Sequence, residues 1–271
     1  MNKYWQHFFS YTFAITTTCF SFIPEKIFSD VYSWFSFPEY WNYVINRIIF
    51  LLSVSIVMGV IILGRRHYRK KLTFKGHNYK IVIEYNDIFN KQKCKKVINF
   101  DECYTTEIGD APHQIKPNSL CGKFIQKNIN LDIPLLISNN QLKSERKLSE
   151  YNNKKCYKLG TLLPYNNFLL MAFTKLDKNG LAVMSREEYL SCLSTLWKEI
   201  DKYYALTDVA IPVLGAGITR FEGESLSQQQ LVDIIIFSYK LSPYKIKYPH
   251  TLHIICHKND NFSLDKIGGS L

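Results

Sequence analysis

Residues 209–220 read VAIPVLGAGITR. An apolar run holding Pro212 gives way to a glycine-rich loop, then to a threonine and an arginine. The run DVAIPVL (208–214) predicts a buried strand. The glycines that follow let backbone approach a ligand closely, and successive amide hydrogens can converge on one anion. A tight turn would use the same residues. No Gly-Lys-Ser/Thr follows, so this is not a Walker loop.

Regular elements recur on both sides of that stretch. YKIVIEY (79–85) and KKVINF (95–100) predict strands. YKLGTLLPY (157–165) and FLLMAFTKL (168–176) predict two more, joined by an Asn-Asn turn. NSLCGKFIQKNI (118–129) has helical character. Ser185 opens SREEYLSCLSTLWKEIDKYY as an N-cap, with Glu188 completing a capping box. Leu190, Leu193, Leu196, Trp197 and Ile200 then recur at helical spacing. SLSQQQLVDIIIFSYKLS (225–242) predicts another helix and TLHIICH (251–257) a last strand. Alternating strands and helices predict a mostly parallel sheet with helices on both faces, a three-layer α/β/α domain. Ligands bind such sheets beyond the carboxyl ends of the strands, and the glycine loop directly follows one.

The N-terminus has a different character. Tyr4 to Ile23 carries no Asp, Glu, Lys or Arg, and Asn42 to Gly64 carries only Arg47. Each is close to the roughly 20 residues that cross a bilayer as a helix. Two transmembrane helices, 4–23 and 42–64, are therefore expected. A cleaved signal peptide is the rival reading of the first, but it lacks a basic n-region and a small-residue cleavage site. Trp34, Phe35, Phe37, Tyr40 and Trp41 suit a headgroup level between the spans. RRHYRKK (65–71) sets that end in the cytoplasm and attracts anionic lipid at about 1 kcal/mol per residue. Residues 1–71 thus read as a multi-pass anchor of an inner membrane and 72–271 as a domain in the cytoplasm. Both termini lie on that side.

Lys and Arg outnumber Asp and Glu by 34 to 23, a formal charge of +11. Such a balance implies an anionic partner. Aromatic residues crowd the first fifty positions, which favours membrane lipid over nucleic acid. The seven cysteines include no CxxC and read as reduced thiols. His250, His253, Cys256 and His257 invite a metal reading, yet a strand sends alternate residues to opposite faces and the spacing fits no zinc pattern. No metal site is expected.

IPVLGAGITR resembles the second phosphate loop of macro domains, which bind ADP-ribose. Four other stretches fall in that family's order. IVIEYNDIF ends in Asn86-Asp87-Ile88, similar to a Gly-Asp-Ile at the end of an early strand. NFDECYTT (99–106) falls where a strand leads to the first loop, NSLCGKF (118–124) resembles that loop, and LMAFTKL resembles the strand before the penultimate helix. The likeness covers roughly residues 77–258 and implies a macro-like domain. Two N-terminal spans before it resemble the ThsA-like transmembrane-macro effectors of Thoeris, a bacterial anti-phage system.

That resemblance implies a ligand set of Asp87 and Ile88, Ser119, Leu120 and Gly122, and Leu214, Gly215, Ala216, Gly217, Ile218, Thr219 and Arg220. Asp87 would accept from the adenine amino group. It further implies an ADP-ribose-derived signal, histidine-ADP-ribose, made by a TIR-domain protein. Binding would drive assembly into a homo-oligomer that damages the membrane. Residue by residue, plainer readings stand beside these. Asp87 could cap a turn, Ser119 and Gly122 could start a helix, Arg220 could be a solvated charge, and Cys121 reads as a packed thiol.

The sequence departs from the family at one place. Many ADP-ribose-removing macro enzymes carry Asn-Ala-Ala-Asn at the first loop, where this chain has Glu102-Cys103-Tyr104-Thr105. A receptor with no catalytic residues and no cofactor therefore fits better than a hydrolase. A membrane-anchored ADP-ribose hydrolase and a structural membrane adaptor are the alternatives.

Overall fold

The computed structural model describes residues 3–30, 39–67, 69–111, 113–217, 219–223, 225–259 and 261–268. The chain divides into two compact units, Met1–Arg69 and Lys70–Leu271.

The first unit is helical: α1 (Lys3–Phe22), α2 (Glu25–Asp30) and α3 (Glu39–His67). Phe20 meets Phe50 with ring centroids 5.6 Å apart, while Phe8 packs near Gly59. These two pairs make α1 and α3 antiparallel. Phe28 of α2 closes the hairpin. Its ring stands edge-on to Phe20 and Phe50, and its carbonyl accepts from Asn46 Nδ2 at 2.7 Å. The Arg47 guanidinium lies 4.2 Å from the Tyr43 ring centroid and 5.0 and 5.6 Å from those of Phe20 and Phe28. A cation held against three rings is shielded from an apolar surround. The hydroxyls of Thr18, Ser21, Ser53 and Ser55 donate to carbonyls four residues back, so their polarity is met within their own helices.

Only Trp41–Gly64 among the described residues is long and apolar enough to cross a membrane by length and composition. The residues Gln6, His7, Ser10, Thr12, Thr16, Thr17, Thr18 and Ser21 hold α1 below that mark. Trp34, Phe35 and Phe37 of the expected headgroup segment lie outside the described residues.

Among its described residues the second unit has nine strands: β1 (Lys71–Lys75), β2 (Lys80–Tyr85), β3 (Cys94–Asp101), β4 (Leu162–Tyr165), β5 (Phe168–Leu176), β6 (Ala182–Met184), β7 (Asp208–Pro212), β8 (Arg220–Phe221) and β9 (Thr251–Cys256). Their order is β1-β2-β9-β7-β3-β5-β6-β8, with β4 paired to β5. β2, β9, β7, β3 and β5 run parallel. β1–β2, β4–β5 and β5–β6 are antiparallel. The sheet is thus mixed around a parallel centre. β4 starts at Leu162, later than the expected 157, because Gly160 turns the chain at φ +91.

Helices α6 (Arg186–Tyr203) and α7 (Gln228–Leu241) cover one face, and α4 (Leu120–Lys127) and α5 (Ile133–Asn139) the other. The capping box on α6 is present, with Ser185 and Glu188 satisfying each other's backbone donors. An identical device at Ser227 and Gln230 starts α7. Trp197 and Tyr239 meet edge to face between α6 and α7 at 4.9 Å. All seven cysteines are free thiols.

Candidate functional site

The parallel strands β2, β9, β7, β3 and β5 end at one edge of the sheet. A cleft of about 450 Å³ opens there. It is lined by Asn99 to Asp101 from β3, Thr174 and Leu176 from β5, and Pro212 with the residues that follow β7. His113 to Lys116, Asn118, the start of α4, Gly180, Ala182 and His257 also line it.

The glycine loop supplies Val213, Gly215, Ala216, Gly217 and Thr219. Gly215 has φ +87, and a Cβ there would come within 2.8 Å of the Phe221 ring. Only glycine fits both demands. Gly217 is different: nothing lies within 4 Å of its would-be Cβ. Gly215 therefore shapes the turn, while Gly217 leaves open space beside the cleft. Behind them Leu214 is buried, and its carbonyl accepts from the Tyr189 hydroxyl of α6 at 2.9 Å.

Ser119 caps α4, its Oγ accepting from Gly122 N at 3.0 Å and donating to Lys116 O at 2.7 Å. The Leu120 and Cys121 amides belong to the first helical turn, which has no intrahelical acceptors, and both residues line the cleft. Helix start and glycine loop thus line one cavity together, and backbone amides left open at such places suit anionic oxygens.

Of the implied ligand set, Ser119, Leu120, Gly215, Ala216, Gly217 and Thr219 come together on this cleft. Ile218 lies outside the described residues. Gly122 is buried in α4, with no room for a Cβ against Lys116 O and Pro117 O. Leu214 is core, and Arg220 is an exposed residue of β8 paired with Val183. Asp87 and Ile88 follow β2 at the same sheet edge without lining the cavity. Asp87 Oδ1 accepts from Phe89 N at 2.9 Å, capping a 3-10 turn over Ile88–Asn90, and Ile88 packs on Ala210 and Ile255, with Leu120 beside them.

Sequence reasoning passed over Asp101. It lines the cleft, yet its oxygens are occupied: Oδ1 accepts from Cys103 N at 2.7 Å and Thr105 N at 3.3 Å, and Oδ2 from the Thr105 hydroxyl. Burial pushes its carboxyl above the ordinary range. The next residues turn into the protein. Glu102 is buried, and burial raises its carboxyl too. Burial pushes the Cys103 thiol up to about 12. Tyr104 sits at φ +54 with its hydroxyl donating to Thr161 O at 3.0 Å. His113, Lys116 and His257 are cleft residues that the sequence reading does not mark; His257 enters it only in the group with His250, Cys256 and His253. That histidine instead bridges strands, Nδ1 lying 2.7 Å from Glu84 Oε1 and Nε2 3.3 Å from Asp208 Oδ2.

Residues 81–257 match the family model described as "Thoeris protein ThsA, Macro domain". The chain is 28% identical over 223 residues to the Thoeris protein ThsA of Bacillus amyloliquefaciens (strain Y2), covering 79% of this chain and 74% of that protein. Among solved structures, an Oceanobacillus iheyensis macrodomain with ADP is similar at TM-score 0.41 and 9% identity, over 70% of this chain and 89% of that one. A mutant of the same macrodomain gives TM-score 0.42 and 10% identity, over 70% and 91%.

Proposed function

The chain belongs to the family of the Thoeris ThsA macro domain, and from that premise we propose that residues 72–271 form a receptor for an ADP-ribose-derived signal. The observation that carries this reading is the convergence of the glycine loop and the α4 N-terminus on one cleft. A diphosphate would lie against Ala216 and Gly217 and the Leu120–Cys121 amides. Asp87 would take the adenine from the neighbouring strand end. The group attached to the distal ribose, histidine in our reading, would extend toward His113 and Thr174.

Residues 1–71 are the membrane anchor in this reading, with α1 and α3 as its two spans. The hydroxyls of Thr16, Thr18 and Ser21, met within α1 itself, support its place in lipid despite its modest hydropathy. A TIR-domain partner makes the signal, ligand-bound copies assemble, and the inner membrane fails. Ligand shifts that equilibrium only through tighter binding to the assembled state.

Receptor is favoured over hydrolase by the state of Asp101. A carboxyl whose two oxygens fasten its own loop is poorly disposed to activate water.

A thermal-shift titration with ADP-ribose and histidine-ADP-ribose tests the proposal. Ligand at 100 times Kd adds about 2.7 kcal/mol of stability. Stabilisation without turnover supports a receptor, turnover a hydrolase, and no response a structural adaptor. Deleting residues 1–64 should keep binding and abolish toxicity; a fully toxic truncation would sink the membrane role.

A further inference from the structure

We propose that the β1 edge of the sheet, together with the C-terminal end of α7, docks on an anionic phospholipid surface. This rests on the membrane-anchor reading above and adds a second contact to it.

Lys71, Thr73 and Lys75 are exposed on alternate positions of β1 and so share one face. Lys80, paired with Lys75, lies on the same side. On the other flank of that edge strand, Phe74 carries Lys240 of α7 over its ring at 5.0 Å. From there α7 exposes Phe237 and Leu241, spaced by one turn, with Tyr244 following. Leu241 is 68% exposed and Tyr248 70%. Tyr248 is held beside the β1–β2 turn by its amide, which donates to Asn78 O at 3.2 Å. Apolar and aromatic side chains therefore stand next to lysines along one border of the domain. Neither 69–80 nor 237–248 contains an Asp or Glu.

That combination suits a headgroup boundary: aromatic rings reach into the interface, and each lysine gains from the negative surface potential. The chain itself confines the choice of surface. Only residues 68–70 separate the end of α3 from β1, a reach of roughly 13 Å when fully extended. If α3 spans the bilayer, β1 cannot leave its vicinity. Lysines on an edge strand also discourage strand-to-strand aggregation, but that role gives no reason for the exposed Leu241 and Tyr248.

The test uses the full chain in phosphatidylcholine vesicles, with or without phosphatidylglycerol. A benzophenone amino acid replaces Leu241 or Tyr248, and Ile129, 89% exposed after α4, serves as control. Lipid adducts are expected from 241 and 248 and not from 129. They should require phosphatidylglycerol and be lost in the K71E/K75E/K80E/K240E variant. Absence of adducts at 241 and 248 from a chain that resists alkaline extraction overturns the docking surface and leaves the anchor standing. Equal adducts without phosphatidylglycerol also overturn it, as the charge would then play no part. Extraction of the whole chain by alkali overturns the anchor, and the docking surface with it.

Discussion

The Tyr189 hydroxyl donates to the carbonyl of Leu214 at 2.9 Å, and both residues are 1% exposed. One helix thereby fixes the residue from which the glycine loop departs. Tyr189→Phe keeps the ring and leaves that buried carbonyl without its donor, which costs about 1–3 kcal/mol. Thermal unfolding should show the loss, and affinity for an ADP-ribose ligand should fall with it. An unchanged melting temperature would remove this bond from the loop's support.

Gly217 and Gly215 should respond differently to substitution. At Gly217 a side chain meets open space, so Gly217→Glu should fold normally. Its carboxylate would occupy the proposed phosphate position and repel an anion, abolishing binding in calorimetry. Gly215→Ala forces a Cβ against Phe221 at positive φ and should lower stability first. A Gly217→Glu protein that binds as tightly as wild type refutes the loop assignment.

Asp87 has a structural role and a proposed one, and two variants separate them. Asp87→Ala loses the cap on the 3-10 turn, worth about 1 kcal/mol, and the adenine contact, worth about 1.5–3 kcal/mol. Asp87→Asn retains an oxygen for Phe89 N but no charge. Weakened binding with intact stability in the Asn variant is expected. Equal binding by both variants and wild type would take Asp87 out of the site.

The sheet carries a pH-sensitive tie at Glu84. Burial pushes its carboxyl up, but hydrogen bonds and charge from Lys91 and His253 outweigh that and leave it below its ordinary 4.5. A carboxyl lowered by folding contributes stability that is present above the unfolded value and lost as pH falls through the folded one. Glu84→Gln should therefore be less stable than wild type at pH 7. The gap should narrow below about pH 4.5 as the wild-type carboxylate takes up its proton. A gap that is constant from pH 3 to pH 7 contradicts this.

Much of the domain was legible because its signals are local. The Ser185–Glu188 box and the leucine spacing announce α6, and the β-branched runs announce β2, β3, β7 and β9. The short strands β6 and β8 carry no period of their own and exist only through pairing with β5 and with each other. β1 was hidden inside a basic run, where KLTFK reads as charge before it reads as alternation. α5 spans seven residues, too few for a helical repeat to stand out. At the site, backbone glycines are visible in a sequence, whereas the fastening of Asp101 to its own loop is not: an aspartate closing a strand looks like any turn residue. His113 and His257 reach the cleft through long-range folding that neither position hints at.

The glycine loop joins β7 to β8, and three strands, β3, β5 and β6, stand between those two in the sheet. Crossing them takes about 19 Å at the usual strand spacing. Eight residue steps from Pro212 to Arg220 reach at most roughly 28 Å when fully drawn out, and part of that length is used in the turn where Ala216 N meets Val213 O at 3.3 Å. The segment therefore has little slack. The turn at Val213–Ala216 spends part of the loop's freedom when the protein folds, before any ligand arrives, so binding has less left to order. Shortening it by two residues should strip β8 from β6, and lengthening it by glycines should weaken binding without touching a single contact.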